Sequence, residues 1–466
     1  MSVGAPHAPA RSAPPSALDR LLRLFADVRA GEGVTALLLM LNIFFTLAAY
    51  YLLKTIREPL ILAGKGGSAE VKSYAAAATA GCLIVLVPAY SALASRVSRV
   101  KLINGVALFF IVNLVIFFAL GQAGVKIGVP FFIWVGIFNL MIIAQLWAFA
   151  NDVYTVEQGK RLFAIVGIGA SLGAIAGSFF TGQLVRQFGP YPFMIGAATL
   201  LVLSVVLTNV VEARETRSRA GAAVAPSGGI AGGSLAASDD PRHDAQRIGG
   251  KSGFALVLSD RYLLLIACLM VILNLVNTTG EYILGETVTK IAAERVAEGR
   301  SGGLDEQKII GGFYGGYFTW VNVVSALIQA LLVSRVLKHV GVRGALLVLP
   351  LVAVSGYTML AFLPVLSIIR AAKIAENSID YSLQNTARNA LYLPLSRAAK
   401  YKAKQANDTF FVRLGDVLSA GLVFVGLHWF SFAPRQIALV NAGIAGVWVI
   451  LAIFLGRRFQ QKAGVG

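Results

Sequence analysis

Lys54-Thr55-Ile56-Arg57-Glu58 interrupts an apolar run that begins at Val34 and resumes at Leu60. Three ionisable side chains therefore stand inside a stretch long enough to cross a bilayer, for which about 20 mostly apolar residues suffice. Such a side chain at membrane depth costs about 2.5–3.5 kcal/mol on insertion scales and marks a functional position by default. Lys54, Arg57 and Glu58 follow i, i+3, i+4 spacing and so share one helical face. Pro59 comes next, removing one backbone hydrogen bond and favouring a kink. A lysine and an arginine on an inward face make a clamp for phosphate or carboxylate, the arginine through its bidentate fork. The same charges also suit a structural set around Glu58, or side chains reaching for the interface. Apolar Leu60–Ala63 beyond them favours the cavity role.

The chain has 466 residues, 57% hydrophobic and 14% charged. Soluble domains carry about 25% charged residues, so much apolar surface here must face lipid. The net charge of +18 does not signal nucleic acid, because the basic residues sit in short loops between apolar runs and no basic soluble domain exists to carry such binding. Cys82 and Cys268 stand alone in apolar runs, without disulfide or metal spacing. There is no phosphate-cradling loop of the ATP-hydrolysing type and no catalytic constellation, which argues against a pump or an enzyme; no cofactor is expected.

Membrane spans are expected near 34–62, 73–94, 101–120, 129–150, 162–184 and 191–211, then near 261–284, 309–334, 343–363, 366–393, 410–430 and 436–456. The expectation is an all-α membrane protein of twelve helices in two six-helix halves, 34–211 and 253–458. Residues 1–33 read as a disordered, Pro/Ala/Ser-rich start with an amphipathic lead-in, 212–252 as a flexible linker, and 459–466 as a tail. Basic loops around Arg96, Lys160, Arg335, Lys400 and Arg457 share one side, which the positive-inside rule makes cytoplasmic. Both termini and the linker would then face the cytoplasm, in a cell (inner) membrane, with the protein a monomer. The outward loop Gly285–Lys308 mixes basic and acidic residues and stays ambiguous.

The two halves echo each other. Ser95-Arg96-Val97 follows the second expected span and Ser334-Arg335-Val336 the eighth. In parallel six-span repeats the substrate sits between the halves near the midplane. Candidate lining residues come from two more stretches. Arg370, Lys373, Asn377, Asp380, Gln384 and Arg388 recur at three- and four-residue steps, a polar stripe that must face protein or a water-filled cavity if it lies at membrane depth. Asn274, Asn277 and Glu281 form a polar edge in the seventh span. Glu281, Asp380 and Asp416 are candidate proton carriers, with pairing to Arg388 or Arg413 the structural alternative for the last two. Gly169, Gly173 and Gly177 give two GxxxG steps, read as close helix contact. Tyr50, Tyr51, Tyr314 and Tyr317 suit interfacial packing or stacking on a base. His428 reads as a hydrogen-bonded core residue.

Two motifs carry a family resemblance. Tyr51-Leu52-Leu53-Lys54-Thr55-Ile56-Arg57-Glu58 with Lys65-Gly66-Gly67-Ser68-Ala69-Glu70 resembles the first-span region of the ATP/ADP translocases of plastids and intracellular bacteria. Asn151-Asp152-Val153-Tyr154-Thr155-Val156-Glu157-Gln158-Gly159-Lys160-Arg161-Leu162-Phe163 resembles the same family ahead of its fifth span. The resemblance implies twelve spans of the major facilitator type and exchange of ATP for ADP without hydrolysis. It also implies charged positions in spans one, four, seven and eleven. These fall at Arg57, which keeps the charge, and near Val135, Asn277 and Asp416, which do not.

The expected function is exchange or uniport of a nucleotide or related phosphorylated anion by alternating access. Lys54, Arg57 and Glu58 would form one wall, and Asn277, Glu281, Asp380, Gln384, Arg388 and Asp416 the others. The lipid bilayer and a small anionic substrate, ATP or ADP among the candidates, are the expected partners. Two alternatives stand beside it: a proton-coupled carrier of an organic acid or drug, and a non-transporting membrane scaffold.

Overall fold

A computed structural model of the chain describes residues 17–23, 26–29, 31–63, 66–94, 96–224, 253–396 and 399–464. The start of the chain before Ala17 and the segment 225–252, expected to be unstructured, lie outside the described residues. Among the described residues every regular element is helical. A short α1 (Ala17–Leu22) precedes α2 (Gly33–Leu62), α3 (Ala69–Ala94), α4 (Arg99–Gln122), α5 (Gly128–Val153), α6 (Val156–Phe188) and α7 (Pro192–Val224). After residue 252 come α8 (Gly253–Ser259), α9 (Arg261–Ala297), α10 (Glu306–Leu331), α11 (Val333–His339) and α12 (Gly341–Phe362). The chain continues with α13 (Leu366–Ile379), a π-helical turn (Asp380–Gln384) and α14 (Asn385–Ala390). Two further π-helical turns, Ala399–Ala403 and Asn407–Phe411, lead into α15 (Val412–His428), and α16 (Pro434–Ala463) ends the described chain.

Ten of these helices are long and apolar enough to cross a membrane, and the bent pair α10–α11 raises the number to eleven. The expected span 366–393 does not qualify by composition. Its polar stripe is the reason: Arg370, Lys373, Glu376, Asp380 and Arg388 lie within one run of helix. Two boundaries also move. α7 continues past Val211 to Val224 through an alanine-containing stretch, and α16 runs through the expected tail to Ala463.

The bundle centres on α2. Of its most apolar window 67% is buried, against 22% for α4, so α2 lies inside and α4 at the lipid-facing edge. α2 packs against α6 and α7, and α9 packs in the same way against α15 and α16. The glycine ladder of α6 explains the first contact. A Cβ at Gly169, Gly173 or Gly177 would come within 2.4, 2.3 and 2.4 Å of the carbonyl oxygens of Met40, Phe44 and Ala48. Only hydrogen at those positions lets the two backbones meet over successive turns. Polar groups glue α2 to α7: Asn42 donates to Thr208 (2.8 Å) and accepts from Ser204 (2.6 Å).

Two seams join the helices before residue 225 to those after 252, α6 against α10 and α3 against α15. At the first, a Cβ on Gly315 would lie 2.1 Å from the Cα of Gly182, so the helices touch backbone to backbone. At the second, His428 Nε2 lies 2.7 Å from Glu70 Oε1. His428 is therefore not a core residue; its side chain is 52% exposed at the end of α15.

The end of the bundle that carries the described start of the chain is laced by charge. Arg99 pairs with Asp152 (2.9 Å) and Glu212 (2.6 Å), tying α4 to α5 and α7. Arg161 pairs with Glu32 at 2.9 Å, beside a capping box in which Thr155 and Gln158 start α6. Partial burial raises the Glu32 carboxyl, but hydrogen bonds from Arg161, the Arg29 backbone and Gln158 hold it below its ordinary value near 4.5. Asp19 of α1 accepts from the backbone N–H groups of Gly31 and Gly33, satisfying orphan donors at the start of α2.

Candidate functional site

KTIRE occupies the last third of α2, and its charges do face inward. Glu58 is 1% exposed and lies between two cations, Arg57 (3.0 Å) and Lys72 of α3 (2.7 Å). Arg57 also lies over the ring of Phe132, 4.4 Å from its centroid. Lys72 reaches across to Glu281 of α9 at 3.6 Å. Glu281 in turn faces Lys373 of α13 (3.7 Å) and accepts from Tyr317 and Asn377, each at 3.1 Å. Lys373 is itself buried, with Glu376 at 3.1 Å and Asn277 Oδ1 at 2.8 Å. Tyr357 donates to Glu376 at 2.6 Å and closes the chain.

The result is one ionic line, Arg57–Glu58–Lys72–Glu281–Lys373–Glu376, running through α2, α3, α9 and α13. It balances by type: three cations, three carboxylates. Burying isolated charges is costly, and a mutually paired and hydrogen-bonded set is how proteins meet that cost. Glycine makes room for it. A Cβ on Gly280 would fall 1.8 Å from the Tyr357 hydroxyl and 3.0 Å from Lys373 Nζ.

Lys54 is different. It is 7% exposed, and its partners are aromatic. Its Nζ donates to the Tyr381 hydroxyl at 3.1 Å and sits 4.6 to 5.9 Å from the ring centroids of Phe318, Tyr51, Tyr381 and Tyr50. Among the described residues no carboxylate lies within ion-pair distance of it. Phe318 and Tyr381 belong to the later helices, so this aromatic box also bridges the two groups. Tyr314 and Tyr317 are fully buried and pack against each other at 5.9 Å between centroids.

The structure thus gathers Lys54, Arg57, Glu58, Asn277 and Glu281 into one region. Asp380, Gln384 and Arg388 lie further along the polar stripe. Asp380 pairs with Arg388 at 3.5 Å, and Gln384 is fully buried with neither side-chain polar atom bonded. Asp416 is held within the later helices, by Asn274 (2.9 Å), Thr278 (2.7 Å) and Arg413 (3.1 Å). Val135 is a fully buried core residue. Absent from the sequence-based set were Lys72, Glu376, Tyr357 and Tyr381. Glu376 had a usable signal, lying among the charges of the stretch 366–393, and Lys72 stands one residue before the expected span 73–94; the tyrosines had none.

A buried ionic line thus runs between two sets of long apolar helices that are joined along two seams. Solved structures agree on the fold: nucleoside transporter NupG aligns with TM-score 0.63 at 10% identity, covering 90% of this chain and 98% of its own. Residues 131–459 match the family model of the TLC ATP/ADP transporters, and the chain belongs to that family. It is a transporter family and not an enzyme family. ADP,ATP carrier protein 2 of Chlamydia trachomatis is 22% identical, over 90% of this chain and 87% of that one. ADP,ATP carrier protein 1 of Chlamydia pneumoniae is also 22% identical, over 70% of this chain and 66% of that one.

Proposed function

We propose that this protein exchanges nucleotides of the ATP/ADP type, or a closely related phosphorylated anion, by alternating access. The observation that carries the reading is Lys54: a buried cation with no carboxylate within ion-pair distance among the described residues, ringed by four aromatic side chains. A nucleotide offers the two complementary parts, phosphates for the cation and a base for the rings. Arg57 stands one turn further along the same face and adds a bidentate anion donor. The names of the Chlamydia carriers point to the same substrates.

The mechanism follows from competition for charge. In the observed conformation Lys72 and Lys373 are held by Glu58, Glu281 and Glu376, which joins the helices on the two sides of the substrate path. A polyphosphate reaching Lys54 and Arg57 draws these cations from their carboxylates, weakening the ties at this level. The ligand shifts the equilibrium by its differential affinity for the two conformations. Asn277, Asp380, Gln384, Arg388 and Asp416 line the remaining path or set its geometry.

The architecture that supports this is twelve crossings in two six-helix halves, 34–211 and 253–458, with 366–393 as the polar twelfth and 212–252 linking the halves. Matching neighbours support it: α2 with α6 and α7 corresponds to α9 with α15 and α16, and α4 with α7 to α12 with α16. By loop charge both termini lie in the cytoplasm of a monomer in the cell (inner) membrane. The test is uptake of labelled ATP and ADP into proteoliposomes preloaded with nucleotide. Exchange that falls at least tenfold in Lys54→Met and Arg57→Ala supports the reading. No exchange of any nucleotide by a monodisperse wild-type preparation overturns it.

A further inference from the structure

A pocket of about 1160 Å³ lies beside the ionic line, between α6, α9, α10 and α13. Its polar lining is dominated by Arg186, Arg295, Arg300 and Arg370, and among the described residues no acidic residue lines it. Glu298 pairs with Arg300 from outside. Among the described residues Arg186, Arg295 and Arg370 have no carboxylate within ion-pair distance. Arg370 is the first member of the polar stripe, and it faces away from the rest: its guanidinium lies 5.6 Å from the ring centroid of Phe313.

The pocket is shaped to admit these guanidiniums. A Cβ on Gly312 would come within 2.6 Å of Arg186 Nε, and one on Gly316 within 3.2 Å of Arg370 Nη2. The two glycines are one helical turn apart, about 6 Å of rise. Arg186 and Arg370 therefore approach the same face of α10 at neighbouring levels, one from the earlier helices and one from the later. The contact of Gly182 with Gly315 lies on the same seam. The site thus draws charge from both sides of the interface that alternating access must rearrange.

Four convergent arginines also run against loop statistics. Here they gather at the end of the bundle opposite the basic loops, where membrane proteins carry few cations. The ambiguous segment Gly285–Lys308 supplies two of them. Like charges held together destabilise unless an anion sits among them. The wall decides what kind of anion. Phe179 and Trp320 line the cavity and remain 46% and 55% exposed on helices apolar enough to cross a membrane. The pocket is therefore lined by cations in one part and by apolar side chains in another.

We propose that this seam pocket binds the headgroup phosphate of an anionic phospholipid, with an acyl chain lying along Phe179 and Trp320. Arg186 and Arg370 hold the phosphate from the two sides, and Arg295 and Arg300 cover it from above. Bound lipid clamps the seam in the observed conformation. The site is separate from Lys54 and does not depend on which anion is transported.

The test uses the full chain purified in a neutral detergent, titrated with short-chain phosphatidylglycerol, with phosphatidylcholine of equal chain length, and with inorganic phosphate, while the melting temperature is followed. Phosphatidylglycerol should raise Tm saturably, and phosphatidylcholine should not. Arg295→Gln and Arg300→Gln, both at exposed positions, should each weaken the half-saturating concentration about tenfold, as expected for one lost charge-assisted hydrogen bond. Thr319→Trp, which fills the cavity without removing charge, should do the same. Equal responses from wild type and all three variants overturn the site. A phosphate response as strong as that to phosphatidylglycerol overturns the lipid assignment in favour of a free anion.

Discussion

Around Glu281, the cations Arg57, Lys72 and Lys373 each stand against a carboxylate. On the other faces of α10 and α13, Arg186, Arg295 and Arg370 stand against none among the described residues, and Arg300 meets only Glu298. The same two helices serve both regions. Tyr317, Lys373 and Asn377 look one way, and Gly316, Arg370 and Ile374 the other. A balanced cluster holds itself together and breaks when one member is taken away. An unbalanced cluster loses strain when a member is removed, and needs a ligand to be at rest. Stability and ligand response should therefore move in opposite senses in the two regions.

Removing Lys373 tests the balanced region most severely. Lys373→Met leaves Glu376 buried without its cation and Glu281 with Lys72 alone, and breaking a buried pair costs about 3–5 kcal/mol. A large fall in Tm is expected, with part of it recovered in Lys373→Met combined with Glu376→Met. A single variant as stable as wild type would show that the ionic line does not hold the helices. Next in size is the seam beside the arginine pocket. Gly315→Leu forces side chain into the backbone of Gly182, and overpacking of this kind costs about 1–3 kcal/mol. Lower Tm and slower nucleotide exchange should appear together, and unchanged values would deny the close contact.

Lys54→Met should act on the substrate and not on the fold. Its partners are a hydroxyl and aromatic rings, so no buried carboxylate is orphaned. Nucleotide affinity is expected to fall about tenfold, near 1.4 kcal/mol, at little change in Tm. A large loss of stability would place Lys54 with the balanced cluster instead. In the unbalanced region Arg295→Gln should leave ligand-free Tm unchanged or slightly raised, the reverse of Lys373→Met. The smallest effect is at the far end. The Glu32 carboxyl is held below its ordinary value, so its tie to Arg161 is fully present above about pH 4.5 and is lost as pH falls through the lowered folded-state value. Glu32→Gln should flatten the acid limb of a Tm–pH curve only slightly, since the pair is partly buried at the edge of the bundle and such pairs contribute little.

Much of this was legible in the chain. Apolar run lengths mark the ten helices long and apolar enough to cross a membrane, because a bilayer demands about 20 residues whatever the neighbours are. The glycine ladder at 169, 173 and 177 announces a backbone contact, because small residues at four-residue spacing have little other use in a membrane helix. The charges of KTIRE announce an inward face for the same energetic reason. The helical run over 366–393 was visible by its place in the repeat, though its charges keep it from the composition of a crossing. What the residues could not announce was pairing. Lys72 lies 14 positions after Glu58 and more than 200 before Glu281, yet it joins the two. Lys54 and Arg57 look alike in sequence, but one is surrounded by rings and the other is taken by Glu58.

The amino-acid sequence by itself determined that this is a helical membrane protein with ionisable side chains set on one face of its first span, since burial cost and helical period are local properties. Only the tertiary structure decided which charges neutralise one another and which are left over. Charges act across space at a few ångströms, and helix packing sets those distances. The polar stripe shows the difference most plainly: one row of residues in the chain, yet Lys373 belongs to the ionic line and Arg370, three residues before it, to the pocket behind.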